Sequence, residues 1–514
     1  MRVWGVLLLA MLAGCVSPDP AVDLSFELKG TVGTVFEIEV DGARCAAGYV
    51  NAIQSRTYSN QGELEFWCRE SRGAPLSFTS IGKPSPLQFT SSIASLNGRL
   101  FEFISRSVYD NGRWRPLTPS ELPVPDDALP ISIVSAGGKH IVFTIYGGRC
   151  EGISVYSESG YHGTYREDDW GQWSAMWTDG RTIAMNVGYN LLSGPLPPPT
   201  SNTCAPLRLK TVPTERKNWI YAARSVGGPL LYGGSEASHD SCAPLLITDL
   251  DLMTTREITI KDCKPGYVTE VYSLTRWRDE ILIGNFPEGA LYALTPGSDA
   301  TRKTAFGAAR PDDLLDPQWN GPYRESQAVV VSGGRVFIGM YPWAELFIHE
   351  GEAPATVLRL IERPEKTGGE FAPYASHLAA AVTSLQDPYA DRAWAQRIPT
   401  IVVLSGLVCA STGNRTGEDL DRWQGLVDEG DVRHYGEVFC APVPGHVMTG
   451  PVPDGTLVRF RVDKERLSIV VDGKTVASAA HGLSGSALHR LSRARPRVGT
   501  GDYGPFEGIL RRLP

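Results

Sequence analysis

One strand–turn–strand unit recurs along most of the chain and constrains its fold more than any other feature. It is clearest at residues 329–349, where an apolar run, a Gly-Gly turn, a second apolar run and a third strand-like run follow each other. The adjacent Gly333 and Gly334 can supply the positive φ that a two-residue hairpin needs. The flanking runs are β-branched and aromatic and too short for helices. This stretch therefore predicts an antiparallel meander.

Related units indicate a repeat architecture. The turns near residues 97, 137, 179, 227, 278 and 333 are 40 to 55 residues apart, and a stretched seventh copy runs from 381–385 to 401–404. A period of roughly 40–50 residues with only strands inside each unit is typical of a β-propeller, whose four-stranded blades must pack on their neighbours. We expect an all-β fold with a seven-bladed propeller, the count lying between six and eight.

The N-terminal residues indicate export. The apolar run after Arg2 is too short for a lasting transmembrane helix and fits a signal peptide. The tetrad Leu12-Ala13-Gly14-Cys15 resembles the lipobox of bacterial lipoproteins. The resemblance implies removal of residues 1–14, acylation of Cys15 (palmitate included) and anchoring in a bilayer. Val16, where retained lipoproteins carry Asp, favours the outer membrane; the alternative is an ordinary secretory signal.

Charge and cysteine content agree with an exported protein. The formal charge of −8 would become −9 on loss of Arg2, which disfavours a nucleic-acid partner. Eight cysteines besides Cys15 form an even set, as expected for disulfides in an oxidising compartment. Sequential pairing is the simplest of the 105 connectivities that eight cysteines allow. It gives Cys45–Cys68, Cys150–Cys204, Cys242–Cys263 and Cys409–Cys440.

The two ends of the chain depart from the repeat. Residues 24–28, 35–40, 48–53 and 63–68 alternate polar and apolar side chains, which predicts about four strands with one wet face. Residues 454–513 resemble the last strands of concanavalin-like, laminin-G-type sandwiches, with a VDGK turn and a PFxGxI ending. Either end alone is too short for a sandwich. We therefore expect 22–75 and 449–514 to form one discontinuous sandwich; two separate appendages are the alternative.

The resulting division of the chain is a signal peptide at 1–14, a linker at 15–21, sandwich strands at 22–75 and 449–514, and a propeller at 76–448. Two motifs, Asp110-Asn111-Gly112-Arg113-Trp114 and Asp169-Trp170-Gly171-Gln172-Trp173, resemble the D-x-G-x-W part of the Asp box of sialidase-like propellers. Both lack the full motif. The resemblance implies a structural turn in which Asp accepts backbone N–H bonds, and it implies nothing about activity.

Ligand-binding residues are expected at one mouth of the propeller axis, where strand ends and loops converge. Polar and aromatic residues lie where the first strand of a unit begins and where the second strand ends, and the sequence leaves open whether these two sets share one rim. Aromatic packing in the core and an internal Arg324–Glu325 ion pair are the alternatives. The candidates are Trp219, Glu270, Arg324, Glu325, Tyr341, Trp343 and His377.

Catalytic and metal motifs are not recognisable. The chain has no G-x-S-x-G elbow, no H-E-x-x-H, no phosphate loop and no cofactor motif; Asp249-Leu250-Asp251 is a weak Ca²⁺ candidate. Two functions stay open. The first is a non-enzymatic binding or scaffold lipoprotein of the cell envelope that meets the bilayer through Cys15 and binds a glycan or envelope protein. The second is a glycoside hydrolase or polysaccharide lyase whose acids are Glu270 and Glu325.

Overall fold

A computed structural model gives the fold. It describes residues 21–54, 58–70, 75–84, 93–96, 98–102, 105–118, 121, 129–136, 139–146, 152–157, 159–166, 176–200, 204–213, 218–226, 228–236, 245–261, 269–286, 289–307, 315–316, 321–322, 324–341, 344–351, 355–360, 396–414, 436–450 and 452–513. Within these ranges the regular structure is strand apart from one short helix, so the prediction of an all-β chain is confirmed. None of the described helical residues forms a segment long and apolar enough to cross a membrane.

Three long antiparallel strands open the chain: β1 (Val22–Val40), β2 (Ala43–Gln54) and β3 (Tyr58–Glu70). Residues 24–28 and 35–40, predicted as two strands, both belong to β1. Gly30 and Gly33 lie between them with φ of 134° and 100°, and β1 changes register partner across this stretch. The glycines let β1 bend so that one strand serves two sheets.

Six four-stranded antiparallel meanders follow in chain order, and we number them sheets 1 to 6. Sheets 2 and 5 also pair with the β2–β3 hairpin and so belong to one 17-stranded sheet with β1–β3. The preceding strand β4 (Thr79–Ser80) belongs to a seventh sheet. Sheet 1 contains β5 (Ile93–Leu96), β6 (Arg99–Glu102), β7 (Ser107–Asp110) and β8 (Arg113–Pro116). Sheet 2 contains β9 (Leu129–Ala136), β10 (Lys139–Tyr146), β11 (Ile153–Ser157) and β12 (Gly160–Tyr165). Sheet 3 contains β13 (Met176–Thr178), β14 (Thr182–Val187), β15 (Asn190–Pro195) and β16 (Lys210–Thr211).

Sheets 4 to 6 repeat the same arrangement, with longer first strands. Sheet 4 contains β17 (Asn218–Ser225), β18 (Leu230–Glu236), β19 (Leu245–Asp249) and β20 (Thr254–Ile258). Sheet 5 contains β21 (Glu270–Trp277), β22 (Glu280–Phe286), β23 (Leu291–Leu294) and β24 (Arg302–Lys303). After the short pair β25 (Leu315–Asp316) and β26 (Gly321–Pro322), sheet 6 contains β27 (Glu325–Ser332), β28 (Arg335–Tyr341), β29 (Glu345–Glu350) and β30 (Thr356–Arg359).

Sheet 7 combines distant parts of the chain. Its first three strands come from the end of the repeat region, and its fourth is β4, which pairs Thr79 with Cys440. Residues 401–404, predicted as the second strand of a stretched unit, are instead its first strand, while 381–385 lie outside the described residues. The strands of this region are β31 (Gln396–Arg397), which pairs with β34 (Gly413–Asn414), and β32 (Ile401–Leu404), β33 (Leu407–Ser411) and β35 (Val438–Pro442) of sheet 7.

Neighbouring sheets share hydrophobic cores in sequence order. Sheets 2 and 3 share one core, sheets 3, 4 and 5 a second, sheets 5 and 6 a third, and sheets 6 and 7 a fourth. A further core joins sheet 7 to sheets 1 and 2, with Val402 and Ile93 both fully buried. Each sheet therefore covers a face of the next, and the last sheet packs on the first.

The C-terminal strands return to β1 across more than 400 residues of chain. Val22 pairs with Val462 and Leu28 with Thr456, and Leu28 also pairs with Leu510 on its other side. We call β1–β3 together with the following elements the terminal module. They are β36 (His446–Thr449), which pairs with β3, β37 (Thr456–Val462), β38 (Arg466–Val471), β39 (Lys474–Ala480), α1 (Gly485–Arg493), β40 (Arg497–Val498) and β41 (Glu507–Arg512).

Four phenylalanines hold the terminal module together. Phe460 of β37 lies 5.2 Å from Phe36 and 5.3 Å from Phe66 between ring centroids, and Phe26 stacks on Phe36 at 5.8 Å. All four rings are buried in one core to which both ends of the chain contribute. Burying each such ring stabilises the fold by about 1.5–3 kcal/mol. The two ends therefore depend on each other.

Helix α1 was not predicted from the sequence. Ser484 caps it by accepting a hydrogen bond from the Ala487 N–H, and Ala487, Leu488 and Leu491 are buried against the core of the terminal module. Nine residues are too few for a stable isolated helix, so packing rather than local propensity holds α1. A strand-only prediction misses such an element.

The described residues on either side of the β2–β3 turn, which we call the hairpin tip, lie among the first strands of several sheets. Ile53 pairs with Leu274 of β21, and Ser59 pairs in parallel with Val134 of β9. Gln54 reaches sheet 7, where its amide Nε2 donates to the Ile401 carbonyl and its Oε1 accepts from the Ile401 N–H, both at 2.7 Å. The hairpin therefore fills the space that the first strands of sheets 2, 5 and 7 face.

Candidate functional site

Three predicted site residues occupy equivalent positions in consecutive sheets. Trp219, Glu270 and Glu325 lie at or next to the beginning of the first strands β17, β21 and β27. The register pairs Glu270 with Phe286 and Glu325 with Tyr341, at the ends of the second strands. In sheets 5 and 6, residues of the two predicted sets thus lie side by side on one rim.

Two residues after each of these positions, a β-bulge in the first strand adds a second layer of residues. The register of each first strand shifts at Tyr221, Tyr272 and Gln327, which leaves these three residues out of the ladder. A bulge kinks its strand and redirects the side chain of the extra residue. Sequence reasoning did not single out these residues, although aligning the three repeats by their first strands places them at one common position.

Aromatic rings join the two layers. Tyr221 and Tyr272 stack with their centroids 5.3 Å apart, and Trp219 stacks on Tyr189 at 5.4 Å. Tyr341 and Phe286 belong to the same buried group, with Trp219 packed against it. We call the following residues the rim cluster: Trp219, Tyr221, Glu270, Tyr272, Asn285, Phe286, Glu325, Gln327 and Tyr341.

Two carboxylates set the electrostatics of the rim cluster. The Tyr272 hydroxyl donates to Oε2 of Glu270, and the Gln327 amide donates to Oε2 of Glu325. Burial raises the pKa of Tyr272 well above its usual value near 10, and the charges of Glu270 and Glu325 raise that pKa further. Tyr272 therefore stays a neutral hydrogen-bond donor between two acidic side chains.

Several buried polar atoms beside the stacked Tyr221 and Tyr272 lack a hydrogen-bond partner among the described residues. Both amide atoms of Asn285, which is 1% exposed, and the hydroxyl of fully buried Ser235 have no hydrogen-bond partner among the residues that the structure describes. A Cβ on Gly233 would meet Val271 of sheet 5, and one on Gly284 would meet Ser326 of sheet 6. Side chains alternate along a strand, so Ser235 lies on the same face as Gly233 and points toward sheet 5. Asn285 follows Gly284 and therefore lies on the other face, toward sheet 4. Both side chains enter the gap that Tyr221 and Tyr272 also occupy.

The remaining predicted ligand residues do not join this group. Arg324 pairs with Glu345 at 2.9 Å, and both side chains are almost fully buried. The sequence-based alternative was an internal pair between Arg324 and Glu325; Arg324 is in an internal pair, but its acidic partner is Glu345. Trp343 and His377 lie outside the described residues.

The opposite end of the first strand of sheet 6 meets a different polar group, the Glu65 hub. Glu65 lies on β3 with its side chain fully buried. It links the terminal module to the hairpin turn of sheet 6. Four donors converge on its carboxylate: the hydroxyls of Ser332 and Tyr503, the Gly333 N–H at 2.9 Å and Nε2 of His446.

The tautomer of His446 follows from its two partners. Its Nδ1 accepts a hydrogen bond from the backbone N–H of Gly406 at 3.0 Å, so its proton is on Nε2, which donates to Glu65. Tyr503 in turn accepts from Trp67 Nε1 at 2.8 Å. Burial, then the charge of Glu65, raises the pKa of Tyr503 well above its usual value. Sequence reasoning missed this group because its members are up to 438 residues apart.

A charged cleft of about 700 Å³ lies between the terminal module and sheets 5 and 6. Its charges are matched: Arg44 contacts Asp502 at 3.0 Å and also Glu37, and Arg69 contacts Glu350 at 3.3 Å. Burial, and next the nearby Arg335, lower the pKa of Arg69 to about 10. The balance of signs suits an interface that joins two parts of one chain.

The cysteine predictions are confirmed where both partners are described. Cys45–Cys68 and Cys409–Cys440 are disulfides. Cys204 is also disulfide-bonded, but its predicted partner Cys150 lies outside the described residues. Cys242, Cys263 and the predicted lipidation site Cys15 also lie outside the described residues.

Two predicted motifs form ordinary turns. Oδ1 of Asp249 accepts the N–H groups of Asp251 and Leu252, and no group of three or more potential metal ligands occurs in the described part of the chain. Asp110, expected to accept local N–H bonds, accepts from Arg99 and Arg115 instead. Of the second Asp-box-like motif, residues 169–173 lie outside the described ranges.

Comparisons with known proteins leave the family open. No protein-family model and no curated protein matches the chain. Among solved structures, YCF48 from Cyanidioschyzon merolae is similar at 11% identity and a TM-score of 0.30, over 61% of this chain and 95% of that one. KlHsv2 with loop 6CD replaced by a Gly-Ser linker is similar at 10% identity and 0.34, over 63% and 89%. At these TM-scores neither likeness supports an inference about fold or function.

Proposed function

We propose that this protein is a lipid-anchored binding protein of the bacterial cell envelope that holds a glycan at the rim cluster. The rim cluster would lie on a seven-bladed β-propeller, and the terminal module would be a β-sandwich fixed to its other end. The protein would act without catalysing a reaction.

The packing order of the sheets supports the propeller. Each four-stranded sheet shares a core with the next, sheet 7 shares one with sheet 1, and β4 from before sheet 1 completes sheet 7. A strand from one end that completes the last blade is a simple way to close a ring of blades. In this arrangement the first strands line the axis, and the β2–β3 hairpin fills it.

The rim cluster lies at the end of the first strands that is remote from the terminal module. Strand β27 spans about 23 Å from Glu325 to Ser332 at roughly 3.3 Å per residue. Its Ser332 end meets the Glu65 hub and the terminal module. A ligand would therefore approach at the Glu325 end, and it could not pass through the axis because the hairpin occupies it.

The unpartnered amide of Asn285 beside stacked tyrosines is the observation that carries the glycan proposal. Aromatic rings offer faces for sugar rings, while amide and carboxylate groups accept and donate hydrogen bonds to sugar hydroxyls. A site with apolar walls and a few convergent polar groups is typical of small-ligand pockets. A glycan end, or a glycosylated envelope partner, would satisfy both features.

The enzymatic alternative rests on the two carboxylates that flank Tyr272. A retaining or inverting glycosidase needs two acidic groups on either side of the bond that it cleaves. In the rim cluster Glu270 and Glu325 each accept a hydrogen bond from a neutral neighbour, the hydroxyl of Tyr272 and the amide of Gln327. The enzymatic alternative thus involves the same residues as the binding proposal but gives the two carboxylates catalytic roles.

One screen separates these two functions. The unacylated chain is incubated with a panel of envelope and plant polysaccharides, and both retention on the polysaccharide and release of reducing ends or unsaturated products are measured. We expect retention without products, weakened by Tyr272→Phe. Product release that Glu270→Gln or Glu325→Gln abolishes would establish the enzyme instead. Absence of both retention and products across the panel would contradict the glycan proposal.

The lipid anchor is tested separately. Expression in bacteria fed a clickable palmitate analogue should label the wild-type chain, and Cys15→Ser should remove the label and release the protein from the membrane fraction. Fractionation should place the acylated protein in the outer membrane, as Val16 implies. A labelled Cys15→Ser variant would contradict acylation at this residue.

A further inference from the structure

The outer face of one sheet of the terminal module carries more basic than acidic side chains. Val458 and Phe460 of β37 point into the core, so strand alternation turns residues 457, 459 and 461 outward. The partner strands β1, β38 and β41 extend this face on both sides. We call it the basic sheet face. Its outward charged residues are Lys29, Arg459, Arg461, Arg466 and Arg511, against Asp23 and Glu27.

Local pairing leaves the positive charge in excess. Asp23 is paired with Arg459, and Glu27 lies 3.9 Å from Lys29. Glu27 also lies opposite Arg511 in the register, and Arg461 lies near Asp463 of the adjacent turn, but five basic side chains against two acidic ones leave three positive charges in excess on this face. The flanking turns at 463–465 and 472–474 carry both signs and do not cancel the excess on the face itself.

Two large apolar side chains project from the same face. Leu457 is 42% exposed and Ile509 is 60% exposed. They lie on opposite sides of β1, because Leu457 pairs with Glu27 and Ile509 pairs with Lys29 two residues further along. Exposed apolar side chains among basic ones are typical of surfaces that enter a lipid headgroup region.

The length of the intervening chain limits how far the proposed anchor can be from this face. Cys15 precedes Val22 by seven residues, which span at most about 25 Å when fully extended. Val22 begins β1 at the edge of the basic sheet face, where it pairs with Val462 next to Arg461. Acyl chains on Cys15 would therefore keep the face near the bilayer surface, where positive charges are attracted within roughly 8 Å at physiological salt.

We propose that the basic sheet face is a membrane-docking surface that binds anionic lipid headgroups. Leu457 and Ile509 would enter the interface, and the rim cluster, at the far end of the axial strands, would point away from the bilayer. The proximity of the bilayer rests on the proposed acylation of Cys15, whereas the affinity for anionic lipid depends only on the face.

Vesicle co-sedimentation of the unacylated chain tests the face alone. The protein begins at residue 16 and so keeps every described residue. Vesicles of phosphatidylcholine, with or without phosphatidylglycerol, are compared at low and high salt. We expect binding only to the vesicles that contain phosphatidylglycerol, reduced by salt. The triple variant Arg461→Gln, Arg466→Gln, Arg511→Gln should lose at least about tenfold in vesicle affinity, because each basic residue near an anionic surface contributes to attraction.

A matched triple variant controls for net charge. Arg113, Arg181 and Arg208 are exposed and lie in sheets 1 and 3 or beside them. Their replacement by Gln removes the same three charges and should leave vesicle binding within about twofold. Equal losses in the two triple variants, equal binding to both vesicle types, or no binding at all would overturn the proposal.

Two further readouts keep the result interpretable. Leu457→Ser with Ile509→Ser should also weaken vesicle binding without changing the thermal midpoint, and an unchanged affinity would count against the face. Palmitate labelling reports on Cys15 independently. Vesicle binding without labelling would uphold the face and reject the anchor, whereas labelling without vesicle binding would do the reverse.

Discussion

The Glu65 hub and the rim cluster each bring a tyrosine to a carboxylate, but they differ in how completely their polar atoms are paired. At the Glu65 hub, Glu65, Tyr503, Trp67 and His446 all take part in one hydrogen-bond network. In the rim cluster, Tyr272 bonds to Glu270, yet the amide of Asn285 beside it has no partner among the described residues. Both tyrosines have raised pKa values because burial and nearby carboxylates disfavour the phenolate.

Under the proposed function, this difference separates a structural site from a binding site. A buried polar network in which every member is paired fixes the relative position of the elements that it joins. A buried amide without a partner destabilises the protein unless water or a ligand supplies the missing bonds. The Glu65 hub should therefore matter for stability and not for ligand binding, and the reverse should hold for the rim cluster.

The largest expected effect is on the Glu65 hub. Glu65→Ala leaves four buried donors without an acceptor and should lower the free energy of unfolding by roughly 3–5 kcal/mol, as for other broken buried charge networks. Denaturant unfolding measures this. The control is Glu465→Ala on an exposed turn of the terminal module, expected to change the value by less than about 0.5 kcal/mol. Equal effects of the two substitutions would contradict a structural role for the Glu65 hub.

The next effect concerns the hairpin tip. Gln54→Ala removes the hydrogen-bond partners of both the N–H and the carbonyl of Ile401. It should lower the free energy of unfolding by about 2–4 kcal/mol, since each unsatisfied buried group costs about 1–3 kcal/mol. Denaturant unfolding again gives the value, with exposed Thr475→Ala as control. A cost below about 1 kcal/mol would show that the hairpin contributes little to holding sheet 7.

Alkaline pH should reveal both tyrosines. A raised folded-state pKa means that the unfolded chain releases the proton first, so stability is intact below about pH 10 and falls as the pH rises further. Each tyrosine should steepen the loss by about 1.4 kcal/mol per pH unit. Tyr503→Phe and Tyr272→Phe should each relieve this slope in denaturant unfolding. An unchanged slope in both variants would contradict the environment assigned to the hydroxyls.

At neutral pH the same two variants sharpen the contrast. Tyr503→Phe removes a donor from fully buried Glu65 and a partner from Trp67, and should cost about 1–3 kcal/mol. Tyr272→Phe should cost less than that, because Glu270 is half-buried and water can reach it. The opposite order would indicate that the rim cluster is the structural site.

The smallest expected effect on stability is at Asn285. Asn285→Leu replaces an unpartnered buried amide by an apolar group of similar size, so the free energy of unfolding should stay the same or rise by up to about 1 kcal/mol. Thermal and denaturant unfolding measure it. A loss of more than about 2 kcal/mol would show that the amide has a structural partner.

Local patterns in the sequence predicted much of the fold. Paired glycines and short β-branched runs predicted the first hairpin of sheet 6, and the resemblance of residues 454–513 to laminin-G-type strands predicted strands where β37 and β38 lie. Pairing over long distances could not be read this way. The contacts of β1 with β37, of β4 with sheet 7 and of the hairpin tip with β9 and β21 depend on the whole chain and not on neighbouring residues.

Part of the candidate site could be predicted as well. Trp219, Glu270, Glu325 and Tyr341 were found because repeats place equivalent residues at equivalent strand ends. Tyr221 and Tyr272 were missed because the sequence of a strand does not show where a bulge turns a residue out of the ladder. Arg324, another predicted ligand residue, is paired with Glu345, which an Arg–Glu sequence does not reveal.

Calorimetric titration of a glycan retained by the wild-type chain tests the central claim most directly when it is repeated with Asn285→Leu. The account predicts that affinity falls at least fivefold, or about 1 kcal/mol, because the amide no longer bonds the sugar, while the free energy of unfolding does not fall. Unchanged affinity in a variant of unchanged stability would contradict the assignment of the rim cluster as the binding site.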